Sequence, residues 1–547
     1  MKKLTIILLA LGLAWVSCAQ NGNQSKNNEI DKFLNRYVNL NKFNGTVLVA
    51  KGGDVLLHKG YGFADYEKRK LNDTNSIFQI YSITKTFTST MILKLADQNL
   101  LALSDPLTKY FPTFPKGENI TIQHLLTHTS GINDDAGDKN APQTEEYRVA
   151  QFGKNKVHFA PGEGWSYCNG GYQLLGYIIK QITKKPYELA IRENIFNPLG
   201  MSNSGFDFKN LASPGKVNAY HIFTNDVKQS AELYDSIGPY AAGSIYCTAS
   251  DLYKYYNSFK THQLLNQESL SLAFTPSKTN GGYGHGWQIK TGLFKNRVIG
   301  HSGGAAGFRS NFSMILEDDI CVILLNNHEN ANTEFLTQRI LEILYDKVFE
   351  TVEEVDLNVD HLEKLVGAYK LTEPRPMLLY TSILDDRLAI DVDGQGKSTL
   401  IAKNETSFIQ EEASAVLEFQ RNENGIYSKI KITQGNFSMV AERIESSWGL
   451  LGSATAKGWD DVIPDIKFTE DRAQKGLWVL KNVPLTKGEI KFRLNNDWNI
   501  NYGSNEGMPR LNMHGDNIQI LEAGIYDMRL DLTDESNLKF SIIKKPD

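Results

Sequence analysis

The stretch FQIYSITKTFTSTMILKLADQNL, residues 78–100, changes character within its first few positions. A short β-like run, Ile77 to Tyr81, gives way at Ser82 to a segment in which Phe87, Met91 and Leu95 recur every four residues. That spacing predicts an amphipathic helix entering a core. Ser82 and Lys85 stand three apart at its start, which puts both side chains on one face of the first turn. A helix N-terminus favours negative charge, and this suits a developing alkoxide or oxyanion. A partly desolvated lysine beside such a serine loses its proton more easily and can act as a base. The competing reading is a helix-capping serine with a solvated lysine. Spacing alone does not separate the two, because Ser-x-x-Lys recurs at Ser213/Lys216, Ser428/Lys431, Ser536/Lys539 and Ser541/Lys544. Only the first copy joins a strand-like run to an apolar helix.

Two later stretches carry compatible chemistry. PGEGWSYCNGG, residues 161–171, holds Tyr167 and Asn169 between a Pro-Gly entry and a Gly-Gly exit, which predicts a tight loop. The other Tyr-x-Asn copies, Tyr37/Asn39 and Tyr255/Asn257, lack that frame. A tyrosine beside a lysine cation can be held near a phenolate and relay the serine proton. Asn169 offers an amide to hold the lysine or a substrate carbonyl. VIGHSGGAAGFRSNF, residues 298–312, places His301 ahead of a glycine run between two strand-like segments. Glycines there allow close approach of a substrate backbone. The Gly304 N–H could complete an oxyanion hole with that of Ser82. The alternative is a hairpin turn with a structural histidine.

Ser-x-x-Lys, then Tyr-x-Asn, then His-x-Gly, in that order, resembles the penicillin-recognising serine hydrolases. The pattern is most similar to the class C β-lactamase-related family of D-Ala carboxypeptidases, D-aminopeptidases and esterases. ITIQHLLTHTSGI (120–132), PGEGWSYCNGGYQLLG (161–176) and AAGSIYCTASDLYKY (241–255) fit the same family, and the resemblance covers about residues 29–350. It implies Ser82 as the acylated nucleophile, Lys85 and Tyr167 as proton-transfer partners, and Asn169, His301, Gly303 and Gly304 as substrate-binding positions. His301 stands where many β-lactamases carry lysine. Losing that permanent cation favours an ester or amide without a carboxylate over β-lactams or D-Ala peptides. Cys168, inside Tyr-x-Asn, reads as a small packing residue rather than a second reactive group. His124 and His128 have zinc-helix spacing in HLLTH, but Leu125 stands where the required glutamate would be, so they read as structural. No metal or cofactor is expected.

The whole chain frames this reading. Its 547 residues are too many for one core. A net charge of −5 gives no basic field for nucleic acid. Lys2 and Lys3 precede an apolar run, Leu4 to Val16, too short to span a bilayer and suited to an export signal. Cleavage after Ala19 and lipidation of Cys18 are both open, the latter being the one expected membrane link. The protein is therefore expected in the periplasm or at the cell surface. Cys168, Cys247 and Cys321 remain in the exported chain, with no Cys-x-x-Cys pair and no disulfide framework implied.

The expected organisation is a signal at 1–19, a linker at 20–28 and an α/β (α+β) serine β-lactamase-like domain at 29–350. That domain combines an antiparallel sheet with a helical subdomain. A small all-β domain at 355–445 and a β-sandwich at 446–547 follow. In the last, WGLLGSATAKGWDD and KFRLNNDWNINYG resemble modules of outer-membrane starch-binding lipoproteins. That resemblance implies polysaccharide contact through Trp459 and Trp498, against the alternative that these rings are sandwich core. Two functions of different class therefore stand at this point. One is a hydrolase of a small-molecule or peptide substrate, acting as an esterase, a peptidase, a β-lactamase or a D-Ala carboxypeptidase. The other is a non-catalytic surface glycan binder on a hydrolase scaffold.

Overall fold

The computed structural model describes residues 24–134, 143–154, 158–225, 228–277, 279–347, 352–373, 376–392, 397–471, 474, 476–498, 500–505, 508–533 and 538–546. The expected signal segment, with Cys18, lies outside them. Among the described residues no helix is long and apolar enough to cross a membrane. The chain divides into two compact units, Met1–Phe349 and Glu350–Asp547.

The first unit is built on a six-stranded antiparallel sheet. Its order is Asp54–Tyr61, Gly45–Lys51, Ile320–Asn326, Phe308–Ile315, Val298–Ala305, Gln288–Lys290. Apolar and polar residues alternate on either side of Gly52-Gly53, which predicts a hairpin; the first two strands form it, with both glycines at positive φ. Strands from the two ends of the unit pair at the centre, with Val47 opposite Leu324 and Leu48 opposite Ile323. Side chains alternate between faces. Val47, Val49, Val322 and Leu324 pack with Ile30 and Leu34 of helix 24–39 and with Leu336 and Ile340 of helix Thr333–Leu344. Leu48, Ile323 and Leu325 belong to the opposite, larger core, with Phe87 and Met91 of helix Thr84–Asp97 and Leu174 and Ile178 of helix Asn169–Thr183. Covering both faces requires apolar side chains on both, hence the unbroken run ICVILL at 320–325.

One local expectation fails. Residues 20–28 are polar enough to read as a linker, yet the chain is helical from residue 24. Lys26 donates to the Ile343 carbonyl at 2.6 Å and pairs with Asp346 at 2.5 Å, so long-range anchoring overrides composition.

The second unit is all-β. Nine antiparallel strands between Gly367 and Ile444 share one sheet over a cluster that includes Tyr369, Leu388, Phe408 and Phe419. Strands from Trp448 to Lys544 form sheets of six and four strands around a separate cluster with Trp448, Trp478, Phe492 and Phe540. Tyr380 of the nine-stranded sheet packs on this second cluster, and both all-β regions fall within one compact unit.

Candidate active site

The segment that carries Ser82 is held at both ends. Phe78–Gln79 pairs with Tyr246–Cys247, a 3-10 turn follows at Tyr81–Ile83, and helix Thr84–Asp97 begins directly after it. Tyr81 has φ of 45°, a region costly for a bulky side chain. Ser82 therefore belongs to the turn ahead of the helix, half-buried at a cleft wall, while Lys85 lies in the helix proper and is fully buried.

Lys85 Nζ has three oxygen neighbours: Ser82 Oγ at 3.2 Å, Asn169 Oδ1 at 2.7 Å and the Ala242 carbonyl at 2.9 Å. An ammonium would donate to all three. A neutral amine keeps two donors, enough for Asn169 and Ala242, and turns its lone pair to the Ser82 hydroxyl. Burial lowers the Lys85 pKa to about 7, against the opposing pull of the Asp134 carboxylate. Only the neutral amine accepts the Ser82 proton. Acylation is therefore expected to rise roughly tenfold per pH unit below about 7 and to level off above it. Stopped-flow acylation rates across this range check the expectation, and a profile flat through neutrality would count against Lys85 as base.

The Tyr167 ring lies 4.7 Å from Lys85 Nζ and lines the same cleft as Ser82. Burial pushes its hydroxyl above the ordinary range even though the neighbouring Ser82 pulls the other way. The phenolate expected from sequence thus gives way to a neutral phenol, because desolvation outweighs that pull. Asn169 is not in a loop. It opens helix Asn169–Thr183, whose N-cap is Cys168, with the Cys168 sulfur accepting the Gly171 N–H. Asp134, to which no sequence signal points, orients this corner. Its carboxylate accepts from Asn169 Nδ2 at 2.8 Å and from the Gly170 N–H at 2.5 Å. Cys168 is buried with its thiol pushed up to about 12, so it packs rather than reacts.

Strand Val298–Ala305 supplies the opposite wall. It pairs with Gln288–Lys290 only through Gly300, which leaves His301 onward unpaired on that edge by any strand among the described residues. Gly303 is buried against the segment that leads into Ser82. A Cβ there would lie 2.1 Å from the Ile80 carbonyl oxygen, so glycine is required for this approach. Ser310 Oγ, which bonds the carbonyls of both Ile80 and Gly303, ties the two segments together. Gly304 is exposed in the cleft. His301 is buried and neutral. Nδ1 donates to the Ser302 carbonyl at 2.6 Å, Nε2 accepts from the Tyr283 hydroxyl at 3.1 Å, and burial holds its pKa near about 3. The structure thus brings Ser82, Tyr167, His301, Gly303 and Gly304 to one cleft of about 570 Å³, with Arg309 on the same wall.

His124 completes a capping box with Thr121, a structural role as expected. In the second unit Trp459 and Trp498 are 36% and 37% exposed and outside the sandwich core. Their ring centroids are 6.2 Å apart with planes inclined at 33°. Trp498 Nε1 donates to Asp461 at 2.9 Å, and the Arg493 guanidinium lies 4.8 Å from the same ring.

A serine and a buried lysine on a helix start, faced by a tyrosine and a glycine-rich sheet edge, define a serine hydrolase of β-lactamase fold. Residues 31–347, more than half of the chain, match the family model described as Beta-lactamase, and the chain belongs to that family. Penicillin-binding protein 4* of Bacillus subtilis (strain 168) is 27% identical over 447 residues, covering 76% of this chain and 98% of that protein. The putative penicillin-binding protein PbpX of the same organism is 30% identical over 322 residues, covering 59% of this chain and 80% of its own length. Among solved structures, the octameric penicillin-binding protein homologue from Pyrococcus abyssi has a TM-score of 0.54 at 25% identity, covering 76% of this chain and 99% of that one. D-amino acid amidase from Ochrobactrum anthropi SV3 shares the fold, with a TM-score of 0.53 at 24% identity over 59% of this chain and 99% of its own.

Proposed function

We propose that this is an exported serine hydrolase that cleaves an ester or amide through an acyl-enzyme on Ser82. The observation that carries the reading is the buried Lys85 amine, with two acceptors for its N–H donors and the Ser82 hydroxyl left for its lone pair. Ser82 Oγ bonds to the substrate carbonyl carbon as its proton passes to Lys85 Nζ. The Ser82 and Gly304 N–H groups receive the oxyanion. Collapse breaks the bond to the leaving group, which takes a proton relayed through Lys85 and Tyr167. Water then attacks the ester, and the acid leaves with Ser82 restored. Export is supported by the apolar run Leu4 to Val16 behind Lys2 and Lys3.

The neutral His301 supports substrates without a carboxylate at the strand edge. Arg309, a cation on the same wall, supports the alternative of a β-lactam or D-Ala peptide. A p-nitrophenyl ester, a chromogenic cephalosporin and a D-Ala-D-Ala peptide, run in parallel, decide between them. The ester-type reading expects turnover of the first with little of the others, and preferential cephalosporin or peptide turnover would reverse it.

A second reading applies to residues 446–547. The half-exposed pair Trp459 and Trp498, one ring backed by Arg493, supports sugar stacking on a rigid platform. In affinity electrophoresis of the full chain through soluble α-glucan, Trp498→Ala is expected to weaken retardation about tenfold, or about 1.4 kcal/mol. Equal mobility with and without glucan in the unsubstituted protein would remove the glycan reading.

A further inference from the structure

We infer that His128 is a positioning residue for the reaction centre, clamping the loop that carries Tyr167 on both sides of that tyrosine. The inference rests on the reading of Ser82, Lys85 and Tyr167 as the reacting groups. His128 follows the short helix Ile122–Leu126 and is buried, at 1% exposure. Its carbonyl accepts the Ser166 N–H at 3.1 Å, and its Nδ1 accepts the Cys168 N–H at 3.1 Å. The amides on either side of Tyr167 are thus tied to one residue. The imidazole also lies against the Tyr167 ring, with centroids 4.4 Å apart. Backbone and side chain of a single residue fix the position and direction of the tyrosine.

The arrangement is held at some cost. His128 has φ of 59°, unusual for a residue with a Cβ, and such strain persists where the surroundings over-determine it. Because Nδ1 accepts, the ring proton sits on Nε2, which meets no hydrogen-bond partner among the described residues. Tyr172 and Tyr283 also pack on the ring, at 5.1 and 4.7 Å between centroids. A protonated imidazole would turn a donor on the Cys168 N–H, so the clamp requires the neutral ring. Burial and the nearby Lys85 both favour that form. The clamped Cys168 amide also sets the start of helix Asn169–Thr183, and hence the reach of Asn169 Oδ1 to Lys85 Nζ. His128 acts through Tyr167 and Asn169.

Glycine and asparagine separate the ring from the backbone. Both tolerate φ near this value, but only asparagine, through Oδ1, can replace the Nδ1 acceptor. His128→Gly is expected to slow fluorophosphonate labelling and ester kcat about 100-fold with KM within about twofold, the size of effect a small misplacement produces. His128→Asn is expected to stay within about threefold of the unsubstituted rate. Melting temperatures are measured on each. Should His128→Gly fail to fold, His128→Gln, whose amide oxygen sits one bond too far, is expected to show the same loss. Unimpaired labelling in His128→Gly or His128→Gln, or an equal loss in His128→Asn, overturns the clamp. Unsubstituted protein that takes no Ser82-dependent label overturns the reaction-centre reading, and the inference with it.

Discussion

Ser82→Ala is expected to remove acyl-enzyme formation altogether and to lower turnover by at least about 10⁴-fold, leaving only what cleft binding and the oxyanion donors give over water. The substitution deletes one oxygen from a half-buried side chain, so the protein should fold and melt as before. The 3-10 turn at Tyr81–Ile83 is set by the backbone and by the packing of Ile83, not by the Ser82 hydroxyl. KM should change little, because Ser82 Oγ contributes chemistry rather than binding. The check is steady-state hydrolysis of a p-nitrophenyl ester beside fluorophosphonate labelling. Residual turnover within tenfold of the starting rate would mean that another group attacks the carbonyl.

Lys85→Met is expected to cost roughly 10³- to 10⁴-fold in acylation, in the upper part of the range for a positioned general base. Methionine nearly matches the volume of the buried stem and carries no proton acceptor of useful basicity. Asn169 Oδ1 and the Ala242 carbonyl lose a donor, but Asn169 stays tied to Asp134 through Nδ2. The helix start should therefore persist. The more telling readout is the pH profile. The rise toward neutrality assigned to Lys85 should vanish, since the neutral His301, held near about 3, does not titrate there. A Lys85→Met enzyme that keeps both rate and profile would transfer the base role elsewhere.

The parts of this account legible in sequence are those in which residue type, order and local frame coincide. Ser82 and Lys85 gained meaning from the strand-to-helix change around them, and the central sheet showed itself through the hairpin at Gly52-Gly53 and the apolar run ICVILL. Less legible were contacts made by the tertiary approach of residues that nothing in the local pattern singles out. Asp134 meets Asn169 and Gly170 across 35 and 36 positions, and Ala242 contributes a carbonyl that any residue would supply. His128 read as structural within HLLTH, and only the fold places it against Tyr167. Gly303 and Gly304 look alike in a glycine run, yet the first is required by the Ile80 carbonyl and the second faces the cleft. The phenolate expectation for Tyr167 failed because burial cannot be read from a three-residue motif.

The central claim is that Ser82 is the acylated nucleophile. Its most direct test is peptide mapping by mass spectrometry of the chain from Gln20 after fluorophosphonate treatment near neutral pH, beside Ser82→Ala. The account predicts a single adduct on the peptide carrying Ser82, absent from the variant. An adduct on another residue, or ester turnover with Ser82 unmodified, would contradict it.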